Sequence, residues 1–258
     1  LARQTLRKRP ICTNQRIKGK NMPNIPTLED LLKAGAHFGH QTSRWHPKMK
    51  QYIFGERQDV HIIDIEQTQT LLEKTLKYVE ETMANGGNIV LVGTKSQVQS
   101  VIEKYALDAG VPYVSTRWLG GTFTNFPEIQ KLIKNFIDLR DKREKGELKK
   151  YTKLEQLQFD RKIEELDVKI GGLTTLKKLP EVVFIADMKH DKTAMMEAIK
   201  RGMKVIAICD TNTNPELVDF PIPANDDAIG SVTLITKLIA EAAKVGKARA
   251  KNSAKETK

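Results

Sequence analysis

Both tryptophans of this chain follow an arginine, and both pairs sit in short stretches that mix cations with rings. The first stretch, RWHPKMKQYIFGER, interleaves Arg44, Lys48, Lys50 and Arg57 with Trp45, Tyr52 and Phe54. The second, STRWLGGTFTNF, carries Arg117, Trp118 and Phe123. Cationic side chains meet phosphates, and aromatic faces stack on unpaired bases or riboses, so this interleaving is what an RNA surface uses. Packing in a core competes for every ring, and Tyr52, Phe54 and Phe123 are assigned to it. Trp45 and Trp118 lie in Pro- or Gly-containing loops, where binding residues concentrate on a rigid scaffold.

Other chemistry is weaker. In NIVLVGTKSQ, Gly93 follows an apolar run and precedes a helical stretch, with Lys95 beside it. A helix start of this kind favours a phosphate. The nucleotide-binding pattern Gly-x4-Gly-Lys-Ser/Thr is not met, because Thr94 separates Gly93 from Lys95. An RNA phosphate is the better use of that geometry, and Lys95 joins the expected RNA contacts. Asp187 and Asp210 end two apolar runs, where a doubly wound sheet binds ligands. They could hold a magnesium ion, but capping the following turns is the better reading. His37, His40, His46 and His61 follow no zinc spacing, and no serine or cysteine nucleophile motif accompanies them. They read as hydrogen-bonding histidines of a packed turn, some touching RNA. Cys209, inside KVIAICDT, reads as a buried reduced thiol, and with Cys12 it makes no disulfide framework. No catalytic residue, metal or cofactor is expected, and a reducing compartment follows.

The elements that must position these loops alternate. A capping-box-like start at Thr27 and Asp30 opens a helix, LEDLLKAG. YIF and VHIIDI read as short strands about a Gly-containing turn. Residues 66–84 form a helix with Leu71, Leu72, Thr75, Leu76 and Val79 on one face. NIVLVGT, VPYVST, EVVFIADM and KVIAICDT are strands of a parallel sheet, DFPIP is an edge piece that tolerates its prolines, and helices lie between. Residues 125–179 break the pattern. Ile129, Leu132, Ile133, Phe136 and Ile137, then Phe159, Ile163, Leu166 and Ile170, recur at helical spacing around a polar tip. This is an inserted antiparallel helical hairpin projecting from the domain, removable without unfolding it. Its tip, Lys142 to Lys153, carries six Lys/Arg against Glu144 and Glu147, and offers Lys149 and Lys150 to RNA.

The charge is uneven. The chain carries +11 over 258 residues. Residues 1–21 hold seven Lys/Arg and no acid, and residues 244–258 hold six against Glu256 alone. The body between is near neutral, so its RNA affinity must come from local patches. Such basic ends cannot bury enough apolar surface to order themselves and are expected to be disordered. The domain plan is therefore an extension at 1–21, an α/β domain at 22–124 and 180–243, the hairpin at 125–179 and a tail at 244–258. No apolar stretch approaches the length of a membrane span.

Taken together, AGAHFGH, RWLGGTFTN, DTNTNPELVDFPIP and NDDAI resemble the small-subunit ribosomal protein S-two family of bacteria and organelles. The matching runs follow the family's order from Met22 to about Ala243. The resemblance implies a flavodoxin-like doubly wound sheet with a helical hairpin and no enzymatic activity. It implies a structural place in the small ribosomal subunit, against ribosomal RNA near the junction of head and body. Neighbouring subunit proteins, including the multi-domain ribosomal protein S-one, are implied partners, and no small-molecule substrate or membrane is. Residues 1–21 match nothing in that family. They read as upstream sequence before an initiator at Met22, or alternatively as an organellar transit peptide. The cytoplasmic ribosome is the expected location and an organellar ribosome the alternative. The competing function, a phospho-ligand-binding α/β enzyme, would use Gly93, Asp187 and Asp210.

Overall fold

A computed structural model describes residues 24–256. The expected extension at 1–21 lies outside them.

The chain opens with a short helix α1 (Leu28–Lys33), started by a true capping box in which Thr27 and Asp30 satisfy each other's backbone amides. Three short strands follow, β1 (Phe38–Gln41), β2 (Ile53–Arg57) and β3 (Val60–Ile63), pairing antiparallel in the order β1-β3-β2. β1 is a strand that the turn-like HFGHQ did not announce. The β2–β3 turn does not use glycine. Gln58 and Asp59 take the left-handed conformation (φ 52° and 60°), as a two-residue hairpin turn requires, while Gly55 lies within β2 beside an irregularity in its pairing.

After α2 (Ile65–Ala84), five parallel strands form the main sheet: β4 (Ile89–Val92), β5 (Tyr113–Val114), β6 (Val182–Ile185), β7 (Lys204–Cys209) and β8 (Phe220–Pro223). Their spatial order is β5-β4-β6-β7-β8, the doubly wound order of flavodoxin-like folds. The strands are apolar throughout because both faces are covered. Alternate residues divide between two cores. Ile89, Leu91, Phe184, Ile206 and Ile208 face α1, α2, α3 (Gln99–Ala109) and α7 (Ile229–Glu256). Val90, Val92, Val183, Ile185, Val205 and Ala207 face the other way, toward α4 (Phe126–Glu144), α5 (Lys153–Ile170) and α6 (Lys192–Lys200).

Two boundaries differ from the sequence reading. The hairpin is α4 and α5, joined through a 3-10 turn at Glu147–Lys150. Its base is part of the domain. Phe126, Ile129, Ile133 and Phe136 of α4, with Ile163 and Ile170 of α5, are buried in the second core. An insertion in place of a crossover helix must still cover the sheet face that the helix would have covered.

The expected disordered tail is the second correction. Residues 244–256 continue α7. Gly246 lies so close to Glu80 O of α2 that a β-carbon there would collide with backbone. Lys244 pairs with Asp108 at 2.9 Å, Lys247 donates to Gly110 O at 2.7 Å, and Arg249 pairs with the buried Glu80. These cations are held by partners on α2, on α3 and at the end of α3.

Candidate nucleic-acid interface

The RWHPK loop is tied to the carboxyl end of β7. The Thr211 hydroxyl accepts from His40 N at 2.9 Å, and its carbonyl accepts from His46 N at 2.7 Å. A β-carbon on Gly39 would lie 2.5 Å from the Thr211 methyl, so only glycine permits this approach. Met49 is fully buried beneath the loop, in the second core. Above it Arg44, Lys50 and Arg57 are exposed and in no ion pair among the described residues. Lys48 is also exposed but pairs with Glu216 at 2.8 Å. Trp45 is 38% exposed and leans on His61, with ring centroids 5.4 Å apart. Tyr52 is half-buried, but Phe54, expected in the core, is 79% exposed. The two-residue period of β2 sends it away from the side taken by Ile53.

The second loop follows β5 on the same carboxyl edge of the sheet. It is wrapped around one carboxylate, Glu197 of α6. Oε1 accepts from Gly121 N at 2.7 Å and Trp118 Nε1 at 3.3 Å. Oε2 accepts from Phe123 N at 3.0 Å, Thr124 N at 3.2 Å and the Thr124 hydroxyl at 3.3 Å. Burial acts to raise the Glu197 pKa, but these donors outweigh it and hold the carboxyl below its usual range. Arg201, one turn on, donates from Nε to Phe123 O at 2.9 Å and also clamps Thr124 O. Phe123 is fully buried as expected. Trp118 is not the open stacking face the sequence suggested. It packs edge-on against Phe123 at 4.8 Å and anchors its loop through Nε1. Arg117 stands exposed at the loop's start, also in no ion pair among the described residues. The β5 and β7 ends are separated by three strand spacings, roughly 14 Å.

The same carboxyl edge also carries a cluster of aspartates from the ends of β6, β7 and β8. His40 Nδ1 lies 3.1 Å from Asp210, and Lys95 Nζ lies 2.6 Å from Asp227, 3.2 Å from Asp187 and 4.0 Å from Asp226. The Lys95 ammonium, expected to meet RNA, is instead occupied by carboxylates of the protein itself. The phosphate reading of Gly93 fails for a related reason. The position is filled by the Asp191 carboxylate, which accepts from Thr94 N at 3.1 Å and the Thr94 hydroxyl at 2.7 Å. Gly93 is required instead by Ile102 of α3, whose side chain leaves no room for a β-carbon. Asp187 caps its turn as expected, accepting from Lys189 N and His190 N at 2.8 Å each. Ligand atoms of His40, Asp210 and Asp226 lie within 4.8 Å of one another. A cation there would compete with the Lys95 ammonium. Cys209 is fully buried, which pushes its thiol up to about 12. At the hairpin tip Lys150 is exposed, and Lys149 shares its 3-10 turn.

Thr211, Asp191, Glu197 and Arg201 were not singled out in the sequence. Glu197 did leave a signal: it stands three residues after Ala194 and next to Ala198, a carboxylate set among the apolar positions of a helix.

Residues 31–246 match the family model described as ribosomal protein S2. The chain is 46% identical over 225 residues to a "Small ribosomal subunit protein uS2" from Roseiflexus sp. (strain RS-1), covering 87% of this chain and 86% of that protein. It is 45% identical over 224 residues to the protein of the same name from Wolinella succinogenes, covering 87% and 83%. With the Mycobacteroides abscessus protein of that name the identity is 44% over 218 residues, covering 84% and 79%. Matches of this identity and extent, on a sheet of flavodoxin-like order, show that the chain belongs to the ribosomal protein S2 family.

Proposed function

We propose that the chain is a structural, non-catalytic component of the small ribosomal subunit that grips ribosomal RNA with the two loops at the carboxyl edge of its sheet. Family membership supports the ribosomal place. The observation that carries the RNA-binding reading is the pair of anchored loops, each holding an exposed arginine that is in no ion pair among the described residues. Arg44 and Arg117, helped by Lys50 and Arg57, contact phosphates, and Trp45 offers its exposed edge to a base or ribose. Lys48 divides its charge with Glu216. Lys149 and Lys150 extend the contact at the hairpin tip. The finer readings belong here too: a site near the junction of head and body, contact with neighbouring subunit proteins including ribosomal protein S-one, and a cytoplasmic ribosome.

The test pairs two measurements on Arg44→Glu/Arg117→Glu. Both side chains are exposed and outside the core, so circular-dichroism melting is expected to be unchanged within a degree or two, since surface substitutions seldom exceed about 0.5 kcal/mol. Co-sedimentation with small subunits is expected to be lost. A folded double variant that enters subunits normally overturns the RNA reading of these loops.

A further inference from the structure

The RWLGG loop meets its helix in an unusual way: five donors from one loop converge on a single buried carboxylate, and an arginine one helical turn on clamps the carbonyls of the same loop. Hydrogen bonds to a charged acceptor are stronger than neutral ones. Holding a glycine-rich loop in one conformation removes the entropy it would otherwise lose on meeting a partner. Gly120 and Gly121 give this loop no stiffness of their own, and Gly121 sits in the left-handed region at φ 92°.

From this geometry we infer that Glu197 and Arg201 are positioning residues for RNA binding. They touch no RNA themselves but fix the backbone that presents Arg117. The inference rests on Arg117 being an RNA contact, as proposed above.

The chemistry specifies the variants. Glu197→Gln keeps the size but turns an NH2 group toward backbone N–H donors, so one set of acceptor bonds is lost and donors face donors. Glu197→Asp keeps the charge on a shorter stem and can recover part of the set. Arg201→Gln removes the clamp on Phe123 O and Thr124 O while leaving the Glu197 contacts in place.

The experiment measures the affinity of full-length variants for small subunits stripped of this protein, at a temperature well below every variant's melting point. The variants are combined with Arg117→Ala in a double-mutant cycle. Arg117→Ala is expected to weaken binding about tenfold, the scale of one charge-assisted hydrogen bond. Glu197→Gln alone is expected to weaken it by a similar factor, Glu197→Asp by less, and Glu197→Gln to cost nothing more once Arg117 is gone. The salt dependence of binding is expected to flatten equally in both single variants, by about one phosphate contact.

If Arg117→Ala weakens binding but Glu197→Gln does not, or if the two losses add, the positioning role is overturned and the RNA reading survives. If Arg117→Ala has no effect, it is the RNA reading that fails, and the positioning role with it. Should Glu197→Gln not fold, Arg201→Gln decides through the same cycle, because it leaves the buried carboxylate satisfied.

Discussion

At the scale of single residues, the acidic edge decides which cations are free. Lys95 looked like an RNA contact, yet its ammonium serves Asp227, Asp187 and Asp226. Lys95→Ala is therefore expected to lower the melting temperature, by leaving buried carboxylates uncompensated, while the salt dependence of subunit binding stays as it was. A flatter salt dependence would return Lys95 to the interface. Asp226 shows the cost of the cluster. Burial first, then Asp210 and Asp187, push its pKa from 3.8 up to about 7. Because the folded pKa is the higher one, the contribution of Asp226 favours folding at low pH and is lost as pH rises from about 4 to about 7. His40 works in the same direction. Its hydrogen bond to Asp210 raises its pKa above 6.5, so its contribution is present below that value and lost as pH rises through the folded one. Asp227, lowered chiefly by its hydrogen bond to Lys95, acts oppositely, but only as pH falls below about 4. Asp226→Asn keeps the shape without the charge. It is expected to melt higher than the parent at pH 7.5, with the gap closing toward pH 5. A gap independent of pH would show that Asp226 is not held near neutrality.

At the scale of elements, the hairpin and the last helix are more deeply built in than their sequences suggest. The polar stretch after Glu144 argues for a detachable arm, but Phe136 is fully buried and Ile133 and Ile163 nearly so. Removing residues 128–178 is accordingly expected to unfold the domain, because the second face of the sheet would lose its cover. Phe136→Ala alone should cost about 3–5 kcal/mol, as large-to-small changes of an aromatic in a core do. Closing the chain from Leu139 to Arg161 spares those contacts. That shorter deletion is expected to melt like the parent and to join subunits less well, since it removes the basic tip. Thermal melting of the two deletions side by side separates an arm from a wall. The same logic applies to α7. Truncation after Ala243 strips the partners of Asp108, Gly110 and the buried Glu80. Its main consequence should be a lower melting temperature, where loss of a disordered tail would leave melting unchanged.

At the scale of the whole molecule, a net charge of +11 is less informative than its placement. The carboxyl edge carries two basic loops and a carboxylate cluster whose charge Lys95 and His40 offset only in part. Binding to subunits is expected to weaken steeply with ionic strength, since phosphate contacts release counterions. Replacing Arg44 or Arg117 by alanine should reduce the slope of log affinity against log salt by about 1 each. Slopes unmoved by either change, measured by co-sedimentation over a salt series, would place the electrostatic contact elsewhere on the molecule.

The sequence by itself determined what depends on local periodicity and residue type. Continuous apolar runs announced a sheet covered on both faces, a 3.6-residue repeat announced α2, α4 and α5, and prolines in Phe220–Pro223 announced an edge strand. It also determined which loops are basic and aromatic. Tertiary structure decided everything that depends on which groups share a place. Lys95 and Arg117 look alike in sequence, yet one falls among three aspartates carried by other strand ends and the other does not. Phe54 and Phe123 are both rings within two residues of a glycine; one faces out from an edge strand and the other closes a core. Glu197 lies more than seventy residues from the loop it holds. Local pattern reports the conformation a segment prefers, but charge compensation and burial are set by neighbours distant in sequence, and only the folded chain brings them together.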